Sequence, residues 1–282
     1  MTLRLARTVL YAVVPAEVLV VVLLVSGVSL PPQLIAVVEV LVLLALAVEF
    51  AAAVPLYRAA RRAGAGRRTA ARAVYEGLVP VQVRRLVGFD LKGMRSLALW
   101  AARRRDVPSG AVPVGYSAEQ TTTMLMFLFA MLVELVGVEF LLQALDWPPP
   151  LRALVFVVDL YSVLIVLAVI AACVTRPHLV SSGELRLRYG VFFDLSVPRE
   201  LISSVRTARN YDEKRLVTLE DGLMALAVGS QTNVIVELSA PVTVTRPLGR
   251  RGRAATLRFL ADDPAAAVRA LRSIQDRESS PI

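Results

Sequence analysis

The chain has 282 residues, of which 56% are hydrophobic, and a mean hydropathy of +0.61. This balance is too apolar for an ordinary soluble domain and indicates a membrane protein. The 32 lysines and arginines outnumber the 23 acidic residues and give a net charge of +9, so charge and apolarity must be segregated along the chain.

Four segments are long and apolar enough to cross a bilayer, which takes about 20 apolar residues for roughly 30 Å of hydrocarbon. Proline-rich turns separate the members of each pair, because consecutive prolines cannot continue a helix. The first segment follows two arginines, yet its length and the span that follows at once favour a retained helix over a cleaved signal peptide. The predicted transmembrane helices are residues 8–28, 35–56, 121–145 and 151–174.

The orientation follows from the distribution of basic residues. The loop over residues 58–119 holds 13 lysines and arginines, whereas the two proline-rich turns have only Arg152 at their margins. Because basic loops stay on the cytoplasmic side, we expect this loop and both termini to be cytoplasmic. The heavy use of arginine, alanine, valine and leucine is typical of GC-rich bacterial genomes. The sequence therefore predicts a multi-pass protein of the bacterial plasma membrane.

A basic amphipathic helix is predicted within the long loop, over residues 81–105. At 100° per residue, its apolar side chains share one face and its basic side chains share the opposite face. Such a helix lies along the inner leaflet with its cations among anionic lipid headgroups, or else packs its apolar face against the rest of the protein. Both alternatives stay open. The predicted anionic-lipid contacts on this helix are Arg84, Arg85, Lys92, Arg95 and Arg103.

The pattern changes after residue 175 from helical periodicity to short alternating runs separated by Gly, Asp, Pro and Asn, which predicts an antiparallel sheet. Asp263 before Pro264 predicts the start of a final helix over residues 264–275. We therefore predict two domains, a transmembrane region over residues 1–177 and a cytoplasmic β domain over residues 178–282. The expected strands are residues 184–188, 191–195, 216–219, 223–228, 233–238, 242–245 and 255–259.

The C-terminal part resembles the bacterial pleckstrin-homology-like (PH-like) domains that are appended to membrane helices. The resemblance covers roughly residues 177–275 and is carried by the Arg176-Pro177-His178-Leu179-Val180 opening, the ELRLRYG strand and a Pro-x-x-x-Ile-x-x-Val corner. With four spans and a basic central loop, the whole chain looks like actinobacterial integral membrane proteins of this layout. The resemblance implies a four-helix transmembrane bundle, a cytoplasmic basic helix and a small PH-like β domain with a C-terminal helix. It supplies no catalytic residues.

Acidic residues inside the spans are the candidate functional site of the membrane region. A charge in hydrocarbon costs about 2.5–3.5 kcal/mol on insertion scales, so each one needs a reason. No lysine or arginine lies inside a span to neutralise them. A proton relay or a hard-cation site is one interpretation, and hydrogen bonds that hold the bundle together, helped by Arg7 or Arg152, is the other. The candidate cluster is Glu17, Glu39, Glu134, Glu139 and Asp159, with Glu49 also inside the second span.

A second group of arginines crowds a glycine-containing loop near the end of the predicted sheet. Guanidinium groups bind phosphate in a bidentate manner, so this loop either contacts lipid phosphates or is simply an exposed hairpin. The arginines lack interleaved aromatic residues, which argues against a nucleic-acid partner. The four candidates are Arg246, Arg250, Arg251 and Arg253.

The function predicted from the sequence is non-catalytic. Cys173 is the only cysteine and His178 the only histidine, which rules out an internal disulfide and a metal site built on several histidines. No phosphate loop, nucleophile elbow or zinc motif occurs, so we expect no enzyme and no cofactor. The expected partners are anionic lipids of the inner leaflet, a protein bound through the C-terminal domain, and a second copy of the chain. The alternative is a small ion- or proton-coupled transporter that uses the intramembrane carboxylates.

Overall fold

The computed structural model describes residues 31–79, 81–247 and 249–278. The predicted first span, with Glu17, lies outside these residues. The described helices are α1 (Pro32–Arg62), α2 (Arg67–Leu78), α3 (Val81–Ala101), α4 (Ala118–Ala144), α5 (Pro149–Thr175) and α6 (Pro264–Glu278).

Three of the described helices are long and apolar enough to cross a membrane, namely Glu39–Arg62 within α1, and the whole of α4 and α5. Their apolar windows are only 12–17% buried. Large apolar side chains on these helices are mostly exposed, at 72% for Phe50, 70% for Met126 and 68% for Phe129, which a soluble monomer does not show over so wide a surface. Surfaces of this kind need lipid or another apolar partner, so the three helices support a membrane protein.

The C-terminal part folds into two sheets, whereas the alternating runs predict a single antiparallel sheet. The first sheet has the antiparallel order β1-β2-β3-β4, and the second has the order β5-β8-β9-β7-β6 with β7 and β9 parallel. The strands are β1 (Val112–Val114), β2 (His178–Val180), β3 (Glu184–Tyr189), β4 (Phe193–Pro198), β5 (Ile202–Asn210), β6 (Val217–Glu220), β7 (Leu223–Leu226), β8 (Thr232–Thr245) and β9 (Arg251–Phe259).

Several strands differ from the sequence-based expectation. The runs 233–238 and 242–245 belong to one strand, β8, which tolerates Pro241 because the register against β9 shifts between Glu237 and Val242. The strand β5 follows a single 3₁₀ turn at Arg199–Leu201, where the sequence predicts only a corner. The strand β1 comes from the long basic loop. Three residues are too few to give a period-two signal, so β1 could not be recognised beforehand.

The chain divides into two compact units, and the second contains residues 89–133 together with 162–282. The first contains the described part of residues 1–88 and residues 134–161. The second unit therefore holds the β domain and also the halves of α4 and α5 that lie next to it in sequence. Its core includes Val114, Tyr116 and Cys173, which come from before and within the helical hairpin.

The final helix begins where the sequence predicts. The Asp263 carboxylate oxygen Oδ1 accepts a hydrogen bond from the Ala266 amide at 2.8 Å, which satisfies one of the unpaired N–H groups of the first turn. The helix α6 packs Ala267 and Leu271 into the core, where both are fully buried. Arg272 also donates from Nη2 to the Val205 carbonyl of β5 at 3.0 Å. The helix therefore closes one end of the sheet, as its apolar stripe indicates.

Candidate functional site

The β domain is attached to the ends of α4 and α5 by very short connections. Only two residues separate the end of α5 from β2, and three separate β1 from the start of α4. The strands β1 and β2 then pair, with Val114 opposite His178. We call the junction the set of side chains that meet at this point. Its members are Arg95, Asp106, Tyr116, Arg176, His178, Arg186, Arg188, Tyr189 and Asp194.

Three arginines surround the carboxylate of Asp194 on β4. Arg186 binds it in a bidentate manner, with Nε 2.7 Å from Oδ1 and Nη2 3.0 Å from Oδ2. Arg176, which follows α5 directly, lies with Nη2 3.1 Å from Oδ2, and Arg188 Nε is 4.0 Å away from the same oxygen. Arg186 and Arg188 reach one carboxylate because residues two apart in a strand share a face and Arg188 is paired opposite Asp194.

Asp106 provides the second anionic centre, from the segment between α3 and α4. Its carboxylate lies 3.2 Å from Arg95 Nη2, 3.6 Å from Arg176 Nε and 3.7 Å from Arg188 Nη1. Its backbone is used as well, because Arg188 Nη1 donates to the Asp106 carbonyl at 2.9 Å and the Asp106 amide donates to the Thr175 carbonyl at 2.8 Å. The connecting segment is therefore bound to the end of α5 and to β3.

Burial makes these ion pairs matter for stability. The Arg188 and Arg176 side chains are only 4% and 10% exposed, whereas isolated surface pairs contribute little. Burial, and then the neighbouring Arg186, lower the pKa of Arg188 from its ordinary value. Four guanidinium groups against two carboxylates leave a formal excess of two positive charges. Loss of either aspartate would leave buried guanidinium groups uncompensated, which is costly.

His178 fills the centre of the junction as a neutral ring. Its Nδ1 accepts the Arg188 backbone amide at 3.0 Å, and its Nε2 lies 3.1 Å from the Leu260 carbonyl, which assigns the proton to Nε2. The ring stacks on Tyr116 with centroids 4.6 Å apart and meets Phe259 edge-on at 5.2 Å. Burial lowers the pKa of His178 to about 3. Because both nitrogens are engaged, the ring is a structural element and not an available base.

A second set of bonds links the N-terminus of α4 to the β domain. The Asp262 amide donates to the Gly115 carbonyl at 2.8 Å, and its Oδ1 accepts the Ala118 amide at 3.1 Å. A Cβ atom on Gly115 would lie 2.4 Å from Asp262 Oδ2, so a larger residue there would displace this carboxylate. Gln120, in the first turn, donates from Nε2 to the Tyr189 hydroxyl at 2.6 Å. Asp262 therefore caps a helix that begins 144 residues earlier in the chain.

The predicted intramembrane carboxylates have separate environments where the structure describes them. Glu139 forms an ion pair with Arg152, the structural interpretation offered by the sequence. Glu134 and Glu39 are exposed on the helix surface, and Asp159 is half-buried on α5. Among the described residues, no group of three or more His, Cys, Asp or Glu side chains is placed to hold a metal ion. Glu17 and the Glu49 side chain lie outside the described part of the chain.

The predicted basic contacts of α3 fall into two groups. Within the second unit, Lys92 and Arg103 are exposed, and Arg95 is exposed but paired with Asp106. The opposite face of this segment packs inward, since Ser96 is buried and a Cβ on Gly93 would touch Ala168 of α5 at 3.4 Å. Packing against the protein is thus seen for residues 89–101, while lipid contact stays a prediction. Arg84 is half-buried in the first unit, and the Arg85 side chain is not described.

The loop arginines near β9 are mostly at the surface. Arg246 donates from Nη2 to the Leu219 carbonyl at 2.7 Å and so supports the hairpin itself. Arg250, Arg251 and Arg253 are exposed. Arg246 is therefore engaged within the protein, and phosphate binding by the other three stays a prediction.

Sequence reasoning missed the junction itself. Its signal was present in the alternation of ELRLR, which puts Leu185 and Leu187 on one face of the strand and two arginines together on the other face. What the alternation cannot show is that Asp106, 82 residues before Arg188, returns to cover those arginines. That contact depends on the tertiary path of the chain.

We predict that Asp194→Asn destabilises the second unit by about 2–4 kcal/mol, because Arg176 and Arg188 lose a charge that balances theirs. The buried thiol of Cys173 supplies the measurement, since a thiol-reactive dye labels it only when the unit opens on heating. The labelling midpoint should fall by about 5–10 °C. The matched control is Glu237→Gln, whose partner Arg206 is 3.9 Å away and exposed, and it should change little. Equal shifts for the two variants would contradict the prediction.

We predict that His178 stays neutral well below the pH at which a free imidazole is protonated, because its folded-state pKa is depressed to about 3. The unfolded chain binds a proton below about pH 6.5, so this group contributes stability above that pH. The contribution is lost as the pH falls from about 6.5 towards 3, by up to about 1.4 kcal/mol per pH unit. Since the chain has one histidine, ¹⁵N spectra of the imidazole at about pH 5 test this directly. Two protonated ring nitrogens in the folded protein would disprove it.

Comparisons of the chain with protein-family models, with curated proteins and with solved structures each found no match. The resemblance to actinobacterial membrane proteins with a PH-like domain therefore stays a prediction from the sequence. The function has to be argued from the geometry of the junction and of the helices that it joins.

Proposed function

We propose that this chain is a non-catalytic integral membrane protein that holds a PH-like β domain at the inner leaflet for interaction with lipid or with a protein partner. The observation that carries the proposal is the junction. The core of the β domain includes Tyr116 and Cys173 from the ends of the helical hairpin, and buried ion pairs through Arg176 cross the same boundary. A domain joined in this way is a fixed platform and not a module on a flexible tether.

The fold assigned to the platform rests on its layout. The PH-like resemblance implies a small β domain closed by a C-terminal helix, and the strands β2 to β9 with α6 support it. Three described helices are candidate spans, and the apolar run over residues 8–28 provides the proposed fourth. An even number of spans puts both termini on one side, in agreement with the basic loop.

The length of α4 supports a position of the platform close to lipid. Its 27 residues give about 40 Å, which exceeds the roughly 30 Å of hydrocarbon. The end at Ala118 therefore reaches the headgroup layer if the helix spans the bilayer. The exposed cations Lys92 and Arg103, in the same unit, suit anionic lipids of the inner leaflet. The poorly covered apolar surfaces of the helices suit lipid or a second copy of the chain.

Transport is the second candidate function and has less support. A relay or cation site needs carboxylates that converge, and the described ones do not form a group of three. The Glu139 carboxylate forms an ion pair with Arg152. Both residues line a cavity of about 410 Å³, together with Pro149, Ala153 and Phe156. A carboxylate that is paired with an arginine is held in its charged form, so it suits the stabilisation of the α4–α5 hairpin better than the transfer of protons.

We expect the β domain to lie on the opposite side of the membrane from the turn between α4 and α5. The test uses two single substitutions in the full chain, Ser239→Cys on β8 and Gln143→Cys near the end of α4, both at exposed positions. A membrane-impermeant maleimide applied to intact bacterial cells should label Gln143→Cys and leave Ser239→Cys unlabelled until the cells are opened. The buried Cys173 of the parent chain provides the background. Labelling of both variants from outside would overturn the proposal.

We also expect Glu139→Gln to act on stability and not on flux, because Arg152 loses its charged partner. The loss should be about 1–3 kcal/mol, while Glu134→Gln, exposed on the same helix, should change little. Proteoliposomes of the parent chain should conduct protons and divalent cations no faster than empty vesicles. Flux by the parent chain that either substitution abolishes would favour the transporter instead.

A further inference from the structure

The end of α3 presents three consecutive arginines at the surface of the second unit. We call them the arginine triplet; they are residues 103–105, and all three side chains are exposed. Within the described part of the chain, none of the three side chains forms an ion pair or a hydrogen bond. The acid that follows them, Asp106, is already shared by arginines of the junction. The triplet therefore carries three positive charges with which no described carboxylate is paired.

Arg103 has a backbone conformation that favours glycine. Its φ of 53° lies in the left-handed region, where the Cβ atom of an L-residue crowds the following carbonyl oxygen. The Arg103 amide donates to the Trp100 carbonyl at 2.9 Å. The Arg104 amide donates to the Leu99 carbonyl at 2.8 Å, which completes a Schellman motif with Arg103 at the position where glycine is usual. An arginine at such a position points to a use for its side chain and not to a need of the turn.

The triplet is fixed next to the end of α5. The Asp106 amide donates to the Thr175 carbonyl at 2.8 Å, and Asp106 follows the triplet directly. Consecutive Cα atoms are about 3.8 Å apart, so the Cα atom of Arg103 lies within about 11 Å of that of Asp106. Earlier in α3, a Cβ atom on Gly93 would lie 3.4 Å from the Ala168 side chain of α5. Contacts with α5 therefore occur on both sides of the triplet in sequence.

The length of α5 puts this attachment at the depth of lipid headgroups. Its 27 residues give about 40 Å against roughly 30 Å of hydrocarbon, so Thr175 reaches the headgroup layer if the helix spans the bilayer. Trp100, in the last turn of α3, is 38% exposed, and tryptophan is enriched at membrane–water interfaces. Long arginine side chains near this depth extend their charged ends towards the headgroups. Trp100 and the triplet thus combine an aromatic interface anchor with cations a few residues away.

We propose that the arginine triplet binds the phosphate groups of anionic phospholipids in the inner leaflet, with Trp100 beside it at the boundary of the hydrocarbon. The proposal rests on the proposed function, because the triplet lies at the headgroup layer only if α5 spans the bilayer. Guanidinium groups bind phosphate oxygens in a bidentate manner, and each arginine near an anionic surface strengthens the attraction about fivefold. A lipid with a net negative charge, such as phosphatidylglycerol, is therefore favoured over zwitterionic phosphatidylcholine.

The test measures which lipid surrounds Trp100 in the full chain. Trp147→Phe leaves Trp100 as the only tryptophan, since the chain has two. This variant is placed in nanodiscs of equal phosphatidylglycerol and phosphatidylcholine, in which one lipid or the other carries brominated acyl chains that quench tryptophan fluorescence. Brominated phosphatidylglycerol should quench Trp100 at least about twofold more than brominated phosphatidylcholine does. Equal quenching by the two lipids would overturn the proposal.

Substitutions of charge tie the lipid preference to the triplet. In the same Trp147→Phe background, the double variant Arg104→Gln and Arg105→Gln should at least halve the excess quenching by phosphatidylglycerol. The matched control is Lys214→Gln and Arg215→Gln, an adjacent pair of exposed cations in the loop between β5 and β6. This control should keep the preference. An equal loss in both double variants would assign the preference to the net charge of the chain and would contradict the proposal.

Arg103→Gly separates the charge of the triplet from the stability of the turn. Glycine adopts the left-handed conformation without steric cost, so the labelling midpoint of Cys173 on heating should hold or rise while the lipid preference weakens. Ser230→Gly makes the same backbone change, at a φ of 63°, without loss of charge and should keep the preference. A full preference in Arg103→Gly, or one lost only together with a lower midpoint, would argue against lipid binding by Arg103.

The quenching experiment also distinguishes this proposal from the proposed function. Equal quenching of Trp100 by both lipids would put the end of α3 at the membrane and reject the preference for anionic lipid alone. No quenching by either lipid would put the end of α3 away from the bilayer, which would overturn this proposal and count against a β domain held at the inner leaflet. The side of the membrane is decided separately, by the labelling of Ser239→Cys.

Discussion

Buried guanidinium groups at the end of α5 are the constraint on which the rest of the structure depends. Arg176 and Arg188 are almost fully covered, and buried cations are tolerated only where carboxylates and carbonyl groups surround them. Asp194 supplies one carboxylate from the β domain, and Asp106 supplies the other from the segment that follows α3. The two aspartates cannot be brought to the same arginines unless the helix end, the connecting segment and the sheet are all in place.

This constraint supports the proposed function. The same few residues that end a membrane-length helix also start the sheet, so the β domain has little freedom to leave the helix ends. His178 adds to the rigidity because its Nδ1 accepts the Arg188 amide in place of a backbone carbonyl of a neighbouring strand. Only a neutral ring can accept this bond, and burial keeps the ring neutral. In the proposed function, a domain held rigidly to the helix ends would present its binding face at a set depth.

Much of the fold could be predicted from the sequence, and for physical reasons. Long uninterrupted apolar runs determine α4 and α5, and the Asp263-Pro264 pair determines the start of α6, because each is a local signal. The strand β1 could not be predicted, since its three residues acquire strand geometry only by pairing with β2. The sequence named Arg152 among the possible partners of the span carboxylates, and its pair with Glu139 joins residues 13 apart in one hairpin, whereas the meeting of Asp106 with Arg188 spans 82 residues of chain. Features that depend on neighbouring residues could be predicted from the sequence, whereas ion pairs between distant segments could not.

Hydrogen–deuterium exchange on the full chain in nanodiscs tests the central claim most directly. The segment over residues 102–117 looks like a surface loop in the sequence, and most of its side chains are polar or small. If the junction holds it, amides such as Asp106 and those of β1 should be protected to the same degree as strand β3. Rapid exchange throughout this segment, with β3 still protected, would show that the β domain hangs on a flexible connection and would contradict the account.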